Sequence, residues 1–186
     1  MRVIAGDFKG RKLKAVPGTL TRPTSDKVKE AFFHRIGPFF SGGSCLDLFA
    51  GSGSLAIEAI SRGMDYAILV DKNKQAIHTI LNNIRLLQIE QKTKLLRMDA
   101  FKALQRVANE SLSFDLILID PPYHLYKYVT LIEKIDELNL LNEDGIIYCE
   151  HEGTEVLPET INQFQVIKTT NYGKTTAITI YQKSNT

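Results

Sequence analysis

The chain predicts an α/β fold built on a doubly wound, mostly parallel seven-stranded sheet with helices on both faces and an antiparallel last strand. Three observations carry this. From Ser44 onward, apolar runs of strand length alternate with segments of helical periodicity, the pattern of parallel strands joined by crossover helices. Runs such as Leu116-Ile117-Leu118-Ile119 are apolar at every position, as in strands buried on both faces. The first strand leads into Gly51-Ser52-Gly53, a tight turn of the kind that opens the first crossover helix in ligand-binding sheets.

Taken in order, residues 1–24 read as extended and turn-rich, punctuated by Gly6, Gly10 and Pro17-Gly18. Ser25 reads as an N-cap, with Asp26 in the first turn and Val28, Ala31, Phe32 and Ile36 at helical spacing. Gly37-Pro38 and Ser41-Gly42-Gly43 mark a hinge. Residues 1–40 are therefore expected to form a small β-rich and helical N-terminal extension, and residues 41–186 the main domain. In the latter, strands are expected at Cys45–Phe49, Tyr66–Asp71, Lys94–Met98, Phe114–Ile119, Ile146–Cys149, Gln165–Thr170 and Thr175–Gln182. Helices are expected over 54–62, Lys74–Leu87, Ala100–Ala108 and Tyr128–Leu138; Ile77, Ile80, Leu81 and Ile84 give the second of these an apolar face.

At 186 residues the chain is long enough for one full core. No apolar run reaches the roughly 18 residues of a membrane span. The start, Met1 to Asp7, lacks the apolar core of a signal peptide, and the expectation is a cytoplasmic protein with no membrane partner. Cys45 and Cys149 sit in strand-like runs without a Cys-x-x-Cys spacing and are expected as buried free thiols. His34, His78, His124 and His151 are scattered, so no metal is expected. The net charge of +2 hides an asymmetry. Residues 1–35 carry nine Lys or Arg against Asp7, Asp26 and Glu30, a surplus of six that leaves the remainder at −4. A basic arm on a mildly acidic body suits docking of a polyanion at one end, although a solvated Lys-rich surface has the same composition.

The chemistry is read from Asp120-Pro121-Pro122-Tyr123, which directly follows the fourth strand. An exocyclic amine on a nucleobase, or an amide nitrogen, is a poor nucleophile because its lone pair is delocalised. Its N–H groups still donate hydrogen bonds. Attack on a methyl sulfonium places positive charge on that nitrogen. Acceptors at the Asp120 carboxylate and the Pro121 carbonyl gain strength as the charge develops, which favours the transition state over the ground state. Pro121 and Pro122 fix φ and offer no N–H donor, and Tyr123 can stack on an extruded base. An ordinary strand-ending turn is the alternative.

For a cofactor, Asp47, Phe49, Ala50, Gly51, Ser52 and Gly53 surround the first turn, and Ala56 completes a Gly-x-Gly-x-x-Ala spacing. Such a loop serves nicotinamide, flavin and S-adenosylmethionine enzymes alike. Asp47 before the glycines would repel a pyrophosphate but suits the ammonium of a methionine moiety. Asp71, with Lys72 after it, ends the second strand where an acid accepts ribose hydroxyls, and Asp99-Ala100 follows the third strand where a carboxylate could accept an adenine amino group. Both acids could instead be helix N-caps.

With these residues placed, the chain resembles the Rossmann-like class I S-adenosylmethionine-dependent methyltransferases. Among them it is similar to the bacterial family, commonly called RsmD, that methylates N2 of a guanine in 16S ribosomal RNA. The resemblance covers nearly the whole chain. It rests on Arg2-Val3-Ile4-Ala5-Gly6 with Lys9-Gly10-Arg11-Lys12-Leu13, on residues 22–30 (Arg22-Pro23-Thr24-Ser25-Asp26-Lys27-Val28-Lys29-Glu30), on Asp47 to Gly53, on Ser61-Arg62-Gly63 and on Asp120 to Tyr123. The two N-terminal blocks are its specific part. It implies a target at guanine 966 in the usual rRNA numbering, within the 30S subunit or its assembly intermediate, a monomeric enzyme, and an extension that binds RNA and covers the cofactor. Arg22, Thr24 and Lys27 would then lie near cofactor and base, with Lys9, Arg11 and Lys12 on phosphates. Tyr172 to Ala177 resembles the turn between the last two strands, which puts Lys174 forward as a further RNA contact. The chain departs from the family at Ala56, more often Gly, and at Asp71, often Glu.

Asp-Pro-Pro-Tyr also occurs in enzymes acting on adenine N6 or cytosine N4, although a DNA enzyme usually carries extra mass for target recognition. A noncatalytic RNA-binding assembly factor is a second alternative. A nicotinamide-linked dehydrogenase is supported by the glycine loop alone.

Overall fold

The structure is a computed structural model that describes residues 1–18, 24–122 and 128–185. Helix α1 spans Asp26–Ile36 and is followed by β1 (Ser44–Asp47), α2 (Ser54–Ser61), β2 (Tyr66–Asp71), α3 (Lys74–Leu87), β3 (Thr93–Arg97), α4 (Ala100–Asn109) and β4 (Phe114–Ile119). Then come α5 (Tyr128–Glu137), β5 (Leu141–His151), β6 (Thr160–Ile161), β7 (Phe164–Asn171) and β8 (Ala177–Lys183). The strands form one sheet in the order β3-β2-β1-β4-β5-β8-β7-β6. Neighbours from β3 through β5 are parallel, whereas β8 runs antiparallel between β5 and β7.

The sheet has eight strands where the sequence predicts seven. The additional strand, β6, is two residues long and pairs with β7 through a tight turn with Asn162 at positive φ. Two residues are too few for periodicity to register. β5 runs from Leu141, well before the expected Ile146, because its early residues Asn142 to Asp144 are polar and look like loop.

Alternation of side chains explains why the central strands are apolar throughout. Cys45, Ala67, Leu69, Leu116 and Leu118 enter one core with α1, α2 and α3. Their neighbours Leu46, Ile68, Val70, Ile117 and Ile119 enter a second core with α4 and α5. Cys45 and Cys149 are buried free thiols, as expected.

The described residues of the N-terminal extension, 1–18 and 24–40, lie directly on this frame. Val3, Leu13, Val28, Phe32 and Phe33 share the first core, and the Phe32 ring meets Tyr148 of β5 at 4.5 Å between centroids. The covering has an electrostatic anchor. Every residue of α2 is buried, including Glu58, whose carboxylate accepts hydrogen bonds from the Ile4 and Ala5 amides and pairs with Lys29 at 3.3 Å and Arg62 at 2.8 Å. Lys29 also donates to the Arg2 carbonyl and the Ser54 hydroxyl, and Arg62 to the Pro38 carbonyl. A carboxylate this deep in the fold is tolerated because each of its oxygens is met by a cation or an N–H. No helix among the described residues is long and apolar enough to cross a membrane.

Candidate active site

Strand order reverses between β1 and β4, and in open α/β sheets the crevice beyond the carboxyl ends of such strands is where ligands bind. A cavity of about 400 Å³ opens there, within the roughly 300–1,000 Å³ range of small-molecule sites. Asp47, Phe49, Ala50, Gly51 and Ser52 line it after β1, Asp71 and Lys72 after β2, Asp99 and Ala100 after β3, and Asp120, Pro121 and Pro122 after β4. Residues far apart in the chain, each read separately from sequence, thus border one hollow. Gly53, expected at the cofactor, is not among the lining residues. A comparable hollow of about 430 Å³ at the opposite end of the strands, around Ser111 and Asn142, gathers no such set of acids.

The turn after β1 is shaped for close approach. Gly51 and Gly53 have φ of +57° and +85°, the left-handed region that glycine enters at no steric cost. A Cβ on Gly51 would project into open space, whereas one on Gly53 would press on Leu69 and Ile57 at 3.2 and 3.3 Å. Gly51 thus bares its backbone toward the cavity while Gly53 lets α2 pack on the sheet. Ala56 is fully buried.

Asp71 and Asp99 resolve differently. Asn73, not Asp71, caps α3, through the Gln75 and Ala76 amides. Asp71 instead braces the glycine turn, accepting from the Gly51 N–H at 3.0 Å and from the Asn73 N–H at 2.9 Å. Asp99 does cap its helix, accepting from the Phe101 N–H at 2.9 Å, while still bordering the cavity.

The acids at the floor are electrostatically unusual. Asp47 is 1% exposed, and its Oδ1 has no hydrogen-bond partner among the described residues. Burial, with the charge of Asp71 adding to it, pushes its carboxyl up to about 7. Asp120 is pushed well above the usual carboxylate range, first by burial and then by the charges of Glu150 and Asp47. A cavity floor carrying two such acids is suited to a cationic or amine-bearing ligand, which would supply the missing partner.

One wall comes from the N-terminal extension. Met1, Ala15, Val16, Pro17, Gly18 and Thr24 line the cavity. Asn83 of α3 ties this wall to the glycine turn: its side chain exchanges hydrogen bonds with the Lys14 backbone at 2.8 and 3.0 Å and donates to the Ser52 carbonyl at 2.9 Å. Asn83 carries no motif that sequence reasoning could single out, and of the wall residues before Thr24 only Pro17-Gly18 stands out, as a turn.

The basic candidates lie elsewhere. Lys9, Arg11, Lys12, Lys27 and Lys174 are exposed and form no part of the cavity wall; Arg11 also donates to the Leu86 carbonyl. Arg22 and Tyr123 lie outside the described residues. No cluster of three or more metal-ligating side chains occurs among the described residues.

The sheet order, the crevice at its switch point and the acids around it define the fold as that of the Rossmann-like class I methyltransferases. The solved structure named "Putative methyltransferase yhhF from Escherichia coli" superposes with a TM-score of 0.83 at 28% identity, covering 100% of this chain and 99% of that one. The family model described as conserved hypothetical protein 95 matches residues 1–182. Bacillus subtilis "Putative rRNA methyltransferase YlbH" is 48% identical over 98% of this chain and 99% of its own length. "Ribosomal RNA small subunit methyltransferase D" of Haemophilus influenzae is 33% identical over 82% of this chain and 79% of its own. The chain belongs to this family, that of the RsmD-like methyltransferases.

Proposed function

We propose that the protein is a cytoplasmic, monomeric, S-adenosylmethionine-dependent ribosomal RNA methyltransferase that modifies N2 of a guanine, guanine 966 in the usual numbering, in the 16S RNA of the 30S subunit or its assembly intermediate. The observation that carries this reading is the convergence of Asp120, Pro121 and Pro122 on the same cavity as Asp47, Gly51 and Asp71. A proline-fixed, acceptor-rich loop beside a cleft suited to a cationic nucleoside supports this reading. The names of the relatives support the RNA substrate.

In this reading the unpartnered Oδ1 of Asp47 receives the ammonium of the cofactor, Asp71 the ribose hydroxyls and Asp99 the adenine amino group. S-adenosylmethionine supplies an electrophilic methyl whose bonding pair to sulfur stays on sulfur as the amine lone pair forms the new N–C bond. Asp120 and the Pro121 carbonyl accept the two amine N–H groups, and the proton lost from nitrogen passes to the Asp120 carboxylate. Tyr123 stacks on the extruded base. Arg22 and Thr24 border the cofactor. Lys9, Arg11, Lys12, Lys27 and Lys174 meet RNA phosphates from the basic arm and the last turn.

The test is to incubate the protein with isotope-labelled S-adenosylmethionine and unmodified 30S subunits, naked 16S RNA, transfer RNA or DNA, and to identify the labelled nucleoside by mass spectrometry. Label in N2-methylguanosine of the ribosomal substrate is expected. Label in N6-methyladenine or N4-methylcytosine would overturn the guanine assignment. Asp120→Ala is expected to bind the cofactor normally and to lose on the order of 10² or more in methyl transfer, the scale of removing one transition-state acceptor.

A further inference from the structure

Asp120 has a carboxylate neighbour that no motif marks. β5 runs parallel to β4 with Cys149 opposite Ile119, so the next residues along the two chains are Glu150 and Asp120. Glu150 is buried, at 5% exposure. Its Oε2 accepts from the Tyr148 hydroxyl at 2.7 Å and from the Thr24 hydroxyl at 2.6 Å. The same Thr24 oxygen lies 3.3 Å from Oδ2 of Asp120. Thr24 has a single proton, which the two acceptors share in a three-centre bond whose shorter arm goes to Glu150. The hydroxyl is therefore a bridge between two carboxylates, set by a residue of the N-terminal segment on one that borders the cavity.

We infer that Glu150 is a positioning residue for methyl transfer: through Thr24 it orients the Asp120 carboxylate, and its charge adds to that of Asp120 in facing the nitrogen that becomes cationic. The inference rests on the amine-accepting role given to Asp120 above. Two acids this close also oppose each other's ionisation, and burial followed by the Glu150 charge are the leading causes of the raised Asp120 value, against which the Thr24 hydroxyl acts. The other titratable groups facing Asp120 among the described residues are Asp47 on β1, Tyr148 on β5 and Tyr128 on α5. All three remain when Glu150 or Thr24 is changed.

The experiment is the pH profile of kcat at saturating S-adenosylmethionine and unmodified 30S subunits. Glu150→Gln keeps an oxygen acceptor for both hydroxyls and removes the charge. It is expected to lower kcat roughly tenfold or more, less than the roughly 10²–10³ of removing a group that touches the reacting atoms, because Glu150 acts through Thr24, with little change in KM. Because Asp120 must be ionised to accept N–H groups, and ionises more readily without a like charge beside it, the acidic limb should move to lower pH. Thr24→Val removes a contact that favours the Asp120 anion, and the limb should move the opposite way. An unmoved limb in both variants overturns the inference, whether kcat falls with thermal stability or stays at wild type. Asp120→Asn separates the two failures. If it is inactive while Glu150→Gln behaves as wild type, the inference alone fails; if it is fully active, the role given to Asp120 fails and takes the inference with it.

Discussion

Asp47 offers a quantitative test of how the floor of the cavity is built. Its carboxyl titrates near 7 in the folded chain, raised by burial from an ordinary value of 3.8. Between these two values the folded protein holds a proton that the unfolded chain has released, so stability falls as pH rises through the window. About three units at about 1.4 kcal/mol each amount to about 4 kcal/mol in total, a large part of the roughly 5–15 kcal/mol that holds a domain together. About 2 to 3 kcal/mol of that falls between pH 5 and pH 8. Asp47→Asn is neutral throughout and lacks this slope. Urea unfolding of both ligand-free proteins across that range isolates Asp47 and its coupling to Asp71 and Asp120, because other carboxylates titrate in both. The wild type should lose about 2 to 3 kcal/mol more than the variant over that interval. S-adenosylmethionine should flatten the wild-type curve, since an ammonium facing Oδ1 favours the ionised form. Parallel pH curves for the two ligand-free proteins would refute the claim that Asp47 is held protonated by the fold.

Glu58→Ala leaves Lys29 and Arg62 buried without their anion and frees the Ile4 and Ala5 amides; unfolding midpoints should report a loss of about 3–5 kcal/mol. Lys29→Met should cost less, because the Glu58–Arg62 pair survives it. Neutralising Lys9, Arg11 and Lys12 together should weaken RNA binding and flatten its dependence on salt, as loss of phosphate contacts does; an unchanged slope in filter binding would mark the arm as merely solvated. Cys45 and Cys149 are fully buried and their thiols are pushed well above the usual range by burial. Neither should react with a thiol reagent until the chain is unfolded.

Local patterns carried most of the fold. Ser25 caps α1 through the Val28 N–H as its residue type predicts, and the predicted limits of α3 and of strands Tyr66–Asp71 and Phe114–Ile119 are those observed. These elements are written in hydrophobic period and capping chemistry, which act over a few residues. β6 and the early part of β5 were not legible, because a polar or two-residue strand is held by pairing with a distant partner rather than by its own pattern.

The sequence alone determined the chemical vocabulary of the site: two glycines in a tight turn after the first strand, acids at four strand ends, and an acceptor-only Asp-Pro-Pro loop. It did so because those residue types are tied to their function by backbone geometry and charge that neighbours supply. Only the tertiary structure decided that Asn73 rather than Asp71 caps α3, that Glu58 is neutralised by cations from α1 and from the residue that ends its own helix, and that Glu150 and Thr24 stand against Asp120. In each case a partner distant in the chain decides the matter, Gly51 for Asp71, Lys29 for Glu58 and Thr24 for Asp120 and Glu150, and the burial that raises Asp47 and Asp120 exists only once the sheet and the extension have closed around them.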